Sequence, residues 1–336
     1  MILNAWTIAS IFLAGLAAVL ALVLSVVSMR ALLRRRRTPA LETDEDSLHL
    51  LGLIVAVLIG VRFIAWPLFY GLLKSFVPEF AASGVMCAFG VTQLDATLVG
   101  NLELLKPATL LALGAWCSLS VASRNSTDDQ LARPLLVLAL PLALLVLADG
   151  AAEMYYVLGE RAEAAVTCCS QLLDTQADAY SASSGALVAL GSRLPTTNLA
   201  LYALSHLALL AILRIGLWRD PADGSRGPRL SLLALAAILG WTNLALARWV
   251  WIDTVAPTVL QLPYHHCIYE VLTEVPVMAV AAIMTVFGSG ALTWPLFLAF
   301  WTDRAPAEIA RVQRSIGRLC ALALASAAII VLTHSL

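Results

Sequence analysis

The chain has 336 residues, of which 60% are hydrophobic and only 13% charged. Soluble domains carry roughly a quarter of charged residues, so an ordinary soluble fold is excluded. The net charge of −1 leaves no basic footprint for nucleic acid, and the arginines cluster beside apolar segments, where topology and anionic lipid account for them.

About 20 apolar residues cross a bilayer as a helix. Eight segments meet that length, at 5–29, 49–73, 99–122, 134–157, 196–218, 229–252, 271–294 and 318–335. The first opens on "MILNAW", with no basic n-region, and arginines follow it. It is therefore read as a retained span and not as a secretory signal. "MRALLRRRR" and the acidic turn "LETDEDS" lead to the second span, which holds Arg62 near its middle. A loop at 74–98 carries Cys87 in "GVMCAFG". The third span opens with Glu103 and Lys106, and the fourth places Asp149 and Glu153 four residues apart near its end. The loop at 158–195 carries Cys168 and Cys169 in "VTCCSQ". The fifth span holds His206, with Arg214 read as a snorkelling anchor, and the sixth holds Asn243 and Arg248. The loop at 253–270 ends in "LPYHHCIYE", with His265, His266 and Cys267 in a row and Glu270 behind them. The apolar run from Val271 to Trp301 exceeds one upright helix, and Gly288, Ser289, Gly290 and Pro295 predict a kink there. No sheet-forming alternation runs through these segments, so an all-α integral membrane protein is expected: one polytopic domain over 1–336, with the loops 74–98, 158–195 and 253–270 forming a lid.

Charge sets the orientation. Lys and Arg number five in 30–48, two in 123–133, three in 219–229 and three in 303–317, with Arg318 at the edge. The other side has only Lys74, Arg161 and Arg193. The positive-inside rule puts the arginine-rich loops in the cytoplasm. Both termini then face outward, as for a bacterial inner-membrane protein with periplasmic ends. Trp6, Trp66, Tyr70, Tyr155, Tyr156, Trp218, Trp249, Trp251 and Trp301 fall near span ends and read as an interfacial aromatic belt. "NST" at 125–127 falls on the cytoplasmic side, where a glycosylation acceptor is inert, and "GSG" at 288–290 lacks the strand and lysine of a phosphate loop.

Cys117 and Cys320 lie inside spans and read as packing residues. Cys87, Cys168, Cys169 and Cys267 all fall on the outer side, where thiols are oxidised. Four cysteines allow three connectivities. Neighbouring Cα atoms lie about 3.8 Å apart, against roughly 4.4–6.8 Å in ordinary disulfides. A Cys168–Cys169 bridge is thus strained, and the expected staples join Cys168 and Cys169 to Cys87 and Cys267, one each. The same atoms suit a metal: Cys87, Cys168, Cys169, Cys267 and His266 offer thiolate and imidazole ligands for copper or zinc. A redox thiol site is the third reading. With cysteines on outer loops above a helical bundle, the chain resembles the membrane quinone-linked thiol oxidoreductases, which implies a quinone cofactor. Their C-x-x-C motif is absent here, and the span count is larger.

Intramembrane charges are costly and mark function. Arg62, Asp149, Glu153, Arg248, Glu270 and Glu274 concentrate in the outward halves of their helices, as an outward-facing polar cavity under the lid would require. They form, with His265 and His266, the expected catalytic set. His266 is i, i+4 from Glu270 and is expected to face inward with Glu270 and Glu274, while His265 faces the lid. The leading expectation is an outer-face site for a thiol, metal ion or quinone-like partner. A transporter or channel is the second, with Arg62, Asp149, Glu153, His206 and Arg248 lining the pathway and the lid as its gate. A non-catalytic subunit docking an outer-face protein or membrane-complex partner is the third. The lipid bilayer is a partner in every case.

Overall fold

The computed structural model describes residues 4–37, 45–124, 131–159, 195–216, 230–262, 267–301 and 307–335. The described residues are 93% helical, with no strand among them. Eight helices are long and apolar enough to cross a membrane. The protein is an all-α polytopic membrane bundle.

The long helices run α1 (Ala5–Arg37), α2 (Glu45–Ser75), α4 (Ala96–Arg124), α5 (Ala132–Leu158), α6 (Pro195–Gly216), α7 (Leu230–Val250), α10 (Pro276–Gly290) and α12 (Ala307–Ser335). Short elements fill the turns: a 3-10 turn (Pro78–Ser83), α3 (Ala88–Gln93), a π turn (Trp251–Val255), α8 (Ala256–Val259), α9 (Ile268–Glu274) and α11 (Thr293–Trp301). The spans alternate in direction, so Arg30, Arg34, Arg35, Arg124, Arg133, Arg214, Arg311, Arg314 and Arg318 share one end of the bundle. Cys87 and Cys267 lie at the opposite end, called here the thiol end.

The helices pack as two bundles of four. In the first, α1 packs on α2 and α5, and α4 packs on the same two. In the second, α6 packs on α7 and α12, and α10 packs on the same two. The α11 segment joins them by touching α4, α7 and α12. Its Trp294 indole donates to the Leu111 carbonyl of α4 at 2.9 Å. Large apolar side chains cover the outside, among them Phe12, Leu22, Leu104, Leu144, Leu207, Ile238, Leu322 and Ile329. Such a surface is stable only against lipid. Small residues bring helices close where backbones meet: a side chain at Gly240 of α7 would run into the Ser289 carbonyl of α10.

Three boundaries differ from the sequence reading. The α12 helix begins at Ala307, well before 318, so the expected loop 303–317 is mostly helix beyond the apolar run. The seventh span begins at Pro276, because Val275 is extended (φ −121°, ψ 86°) as residues before proline tend to be. Glu270 and Glu274 therefore belong to the separate helix α9. The expected kink is a full break at Ala291–Leu292, between α10 and α11.

Candidate functional site

The intramembrane charges fall into three groups. The first lies in the core of the first bundle. Arg62 of α2 sits 3.2 Å from Asp149 and 3.6 Å from Glu153. Lys106 of α4 sits 2.7 Å from Glu153 and 3.8 Å from Asp149. All four are buried, with formal charges that cancel. Arg62 also donates to the Val146 carbonyl at 2.8 Å, and the Lys106 ammonium lies 5.0 Å over the Phe69 ring. Gly150 leaves room for the guanidinium: a Cβ there would stand 3.1 Å from Nη2. The i, i+4 spacing of the two carboxylates puts them on one face, and the two cations come from neighbouring helices to meet them.

The second group lines a cavity of about 1170 Å³ between the bundles, bounded by α2 and α4 on one side and α7 and α10 on the other. Its wall is aromatic, with Trp6, Trp66, Tyr70, Phe89, Trp241, Trp251 and Tyr269. Four of these, Trp6, Trp66, Tyr70 and Trp251, belong to the belt expected from the sequence; the fold turns them onto the cavity. The polar groups on the wall include Glu103, Arg248, Tyr269 and Cys267. The Tyr269 hydroxyl donates to Glu103 at 2.5 Å. Arg248 acts on Glu103 electrostatically from beyond ion-pair contact. Burial and then the Glu103 carboxylate push the Tyr269 phenol well above its ordinary range, so it stays a donor. The π turn after α7 directs Trp251 and Ile252 onto the wall, and such bulges recur at functional sites.

At the thiol end, Cys267 meets Cys87. Both are buried free thiols, close enough for each to be the largest influence on the other's ionisation. Cys87 precedes α3 and Cys267 precedes α9, and these short helices pack together. The hydrogen bond from Cys267 pulls the Cys87 thiol down to about 6, with help from the Gly90 and Phe89 backbone N–H groups and against burial. The same bond, then burial, pushes the Cys267 thiol up. Glu270 stands beside the pair: its N–H reaches Cys267, and its charge opposes ionisation of both sulfurs.

Glu274 does not face inward with Glu270. Its side chain is 54% exposed and pairs with Lys74 of α2. His265, His266, Cys168 and Cys169 lie outside the described residues, and with them the histidine expectation, the staples from Cys168 and Cys169 to Cys87 and Cys267, and most of the metal set. Among the described residues no three His, Cys, Asp or Glu side chains converge as metal ligands. Cys87 and Cys267, each expected to bond to Cys168 or Cys169 outside the described residues, adjoin one another as free thiols.

Glu103 and Lys106 were visible as charges three apart, yet they point to different places: Glu103 to the cavity, Lys106 to the buried tetrad. Tyr269, which lies in "LPYHHCIYE", carries no site signal of its own in the sequence; only the fold brings it to Glu103. In the second bundle, Asn243 donates to Ser289 at 2.8 Å, and His206 Nδ1 lies 2.9 Å from the Tyr202 carbonyl. The first joins α7 to α10 and the second lies within α6, both away from the cavity wall.

Comparisons with known protein families, with curated proteins and with solved structures found no match to this chain.

Proposed function

We propose that this membrane protein exchanges electrons between the Cys87–Cys267 dithiol and a quinone bound in the cavity between the two bundles. The observation that supports it most is the position of Cys267, which stands on the cavity wall with Cys87 as its nearest ionisable neighbour. A dithiol gives up two electrons, and a quinone is the bilayer-soluble acceptor of two electrons and two protons. The aromatic wall stacks against a quinone ring, and Arg248 offers donors to a quinone carbonyl.

In this reading the pair holds one proton between two sulfurs. Its transfer to Cys87 leaves the thiolate on Cys267, which adds to the quinone. The Cys87 thiol then loses its proton through Glu270 to a quinone oxygen and attacks the Cys267 sulfur, while a second proton from the outer solution reaches the other oxygen. The disulfide closes and the hydroquinone leaves. The net change is one thiol, one thiolate, one proton and one quinone to one disulfide and one hydroquinone. A dithiol on the outer face restores the pair by exchange and leaves as a disulfide. The arginine-rich end faces the cytoplasm, so the thiol end meets the oxidising side.

The test uses reduced protein in lipid nanodiscs, without oxygen, and a short-tailed benzoquinone. One quinol is expected to form per protein, with the two lost thiols mapping to Cys87 and Cys267. Cys87→Ser and Cys267→Ser are each expected to abolish the reaction. Quinone left oxidised by the wild type, or reduced equally by Cys267→Ser, overturns the reading.

A further inference from the structure

The cavity reaches the outside of the bundle at membrane depth. Leu104 of α4 and Trp241 of α7 both line it, and they are 72% and 53% exposed. Both lie within apolar spans, so the medium outside them is hydrocarbon. The α4 and α7 helices make little direct contact, and α11 touches both toward the arginine-rich end. Toward the thiol end, the seam between α4 and α7 stays open. Gly100 of α4 lies on the cavity wall, and the space where its Cβ would stand has no atom within 4 Å. Pro67 of α2 and Pro107 of α4 also lie on this wall. Each leaves the carbonyl four residues earlier without its helical donor, a cost that helices in membranes tolerate beside a cavity.

The polar and apolar walls differ by direction. Glu103 turns inward to the Tyr269 hydroxyl, whereas the next residue, Leu104, and Trp241 across the cavity are exposed toward the lipid. A small polar molecule has no reason to use an apolar side door. A molecule with a compact hydrogen-bonding head and a long hydrocarbon tail fits both ends of this surface, because its tail never leaves an apolar medium.

Resting on the quinone reading above, we infer that the ligand is long-tailed and enters sideways from the bilayer through the α4–α7 seam. Its tail remains between Leu104 and Trp241 while its head lies at Arg248, Glu103 and Tyr269.

The experiment compares two quinones with the same head, one with a single short side chain and one with a long isoprenoid tail, both supplied in the nanodisc bilayer. Gly100→Trp adds an indole at a position whose Cβ meets no atom within 4 Å. The variant is expected to keep the wild-type melting temperature, and its reaction with the short quinone is the reference for the long one. It is expected to lose the long-tailed quinone by about tenfold or more in apparent affinity. Equal responses of the variant to both quinones overturn the lateral route. If the wild type reduces neither quinone, the redox reading fails, and the route is decided separately by photolabelling. A long-tailed quinone with a photoreactive group on its tail is expected to label peptides containing Leu104 and Trp241, and Gly100→Trp to suppress that labelling. Labelling elsewhere, or labelling that Gly100→Trp leaves unchanged, overturns the proposal without any thiol chemistry.

Discussion

Arg62, Lys106, Asp149 and Glu153 hold each other in a place where no single one of them is tolerable. Removing one partner of a buried pair leaves the other charge uncompensated and costs about 3–5 kcal/mol. Arg62→Met is therefore expected to lower thermal stability in detergent sharply. Arg62→Met combined with Asp149→Leu keeps the charges balanced and is expected to recover much of the loss. A double variant no better than the single one would show that the four do not act as a neutral unit. Cys87 offers a second check. Only the thiolate alkylates, and a thiol drawn down to about 6 ionises well below the ordinary thiol range. Alkylation of Cys87 is expected to rise with pH through a midpoint near 6. In Cys267→Ala the donor is gone, so the midpoint is expected to move up. An unmoved midpoint would remove Cys267 as its cause. At this scale the sequence told only half. Asp149 and Glu153 are legible as one helix face, but their cations come from other helices, and no spacing along the chain shows which.

The helices themselves were legible, since apolar length decides a membrane span. Their ends were less so. Arg311, Arg314 and Arg318 read as a loop by charge, yet the backbone stays helical through them, because a helix can continue past the membrane as long as its side chains reach water. The short helix α9 escaped notice for the opposite reason: its residues look like the start of a span, and only Pro276 cuts them off. Close approach between helices is equally hidden in sequence and can be tested directly. Gly240→Leu drives a side chain into the Ser289 carbonyl and is expected to cost about 1–3 kcal/mol, as overpacking does. Gly60→Leu, with no atom within 4 Å of its Cβ position, is expected to leave the melting temperature nearly unchanged. Equal effects of the two would deny that α7 and α10 meet through Gly240.

The whole molecule adds what no segment contains. Trp6, Trp66, Tyr70 and Trp251 sit at span ends, and the belt was a sound reading of each alone. Only the meeting of two bundles makes them one wall. Orientation, by contrast, rests on charge counts that need no packing. A cysteine introduced at Arg35 is expected to resist impermeant thiol reagents from the outer face; labelling there would reverse the orientation and move the thiol end to the reducing side. The central claim is that Cys87 and Cys267 work as one pair at the cavity. Peptide mapping under non-reducing conditions, after quinone has been added to the reduced protein, tests it most directly. The account expects the peptide bearing Cys87 to be linked to the peptide bearing Cys267. Cys87 linked to Cys168 or Cys169, or both thiols still free after quinone, would contradict it.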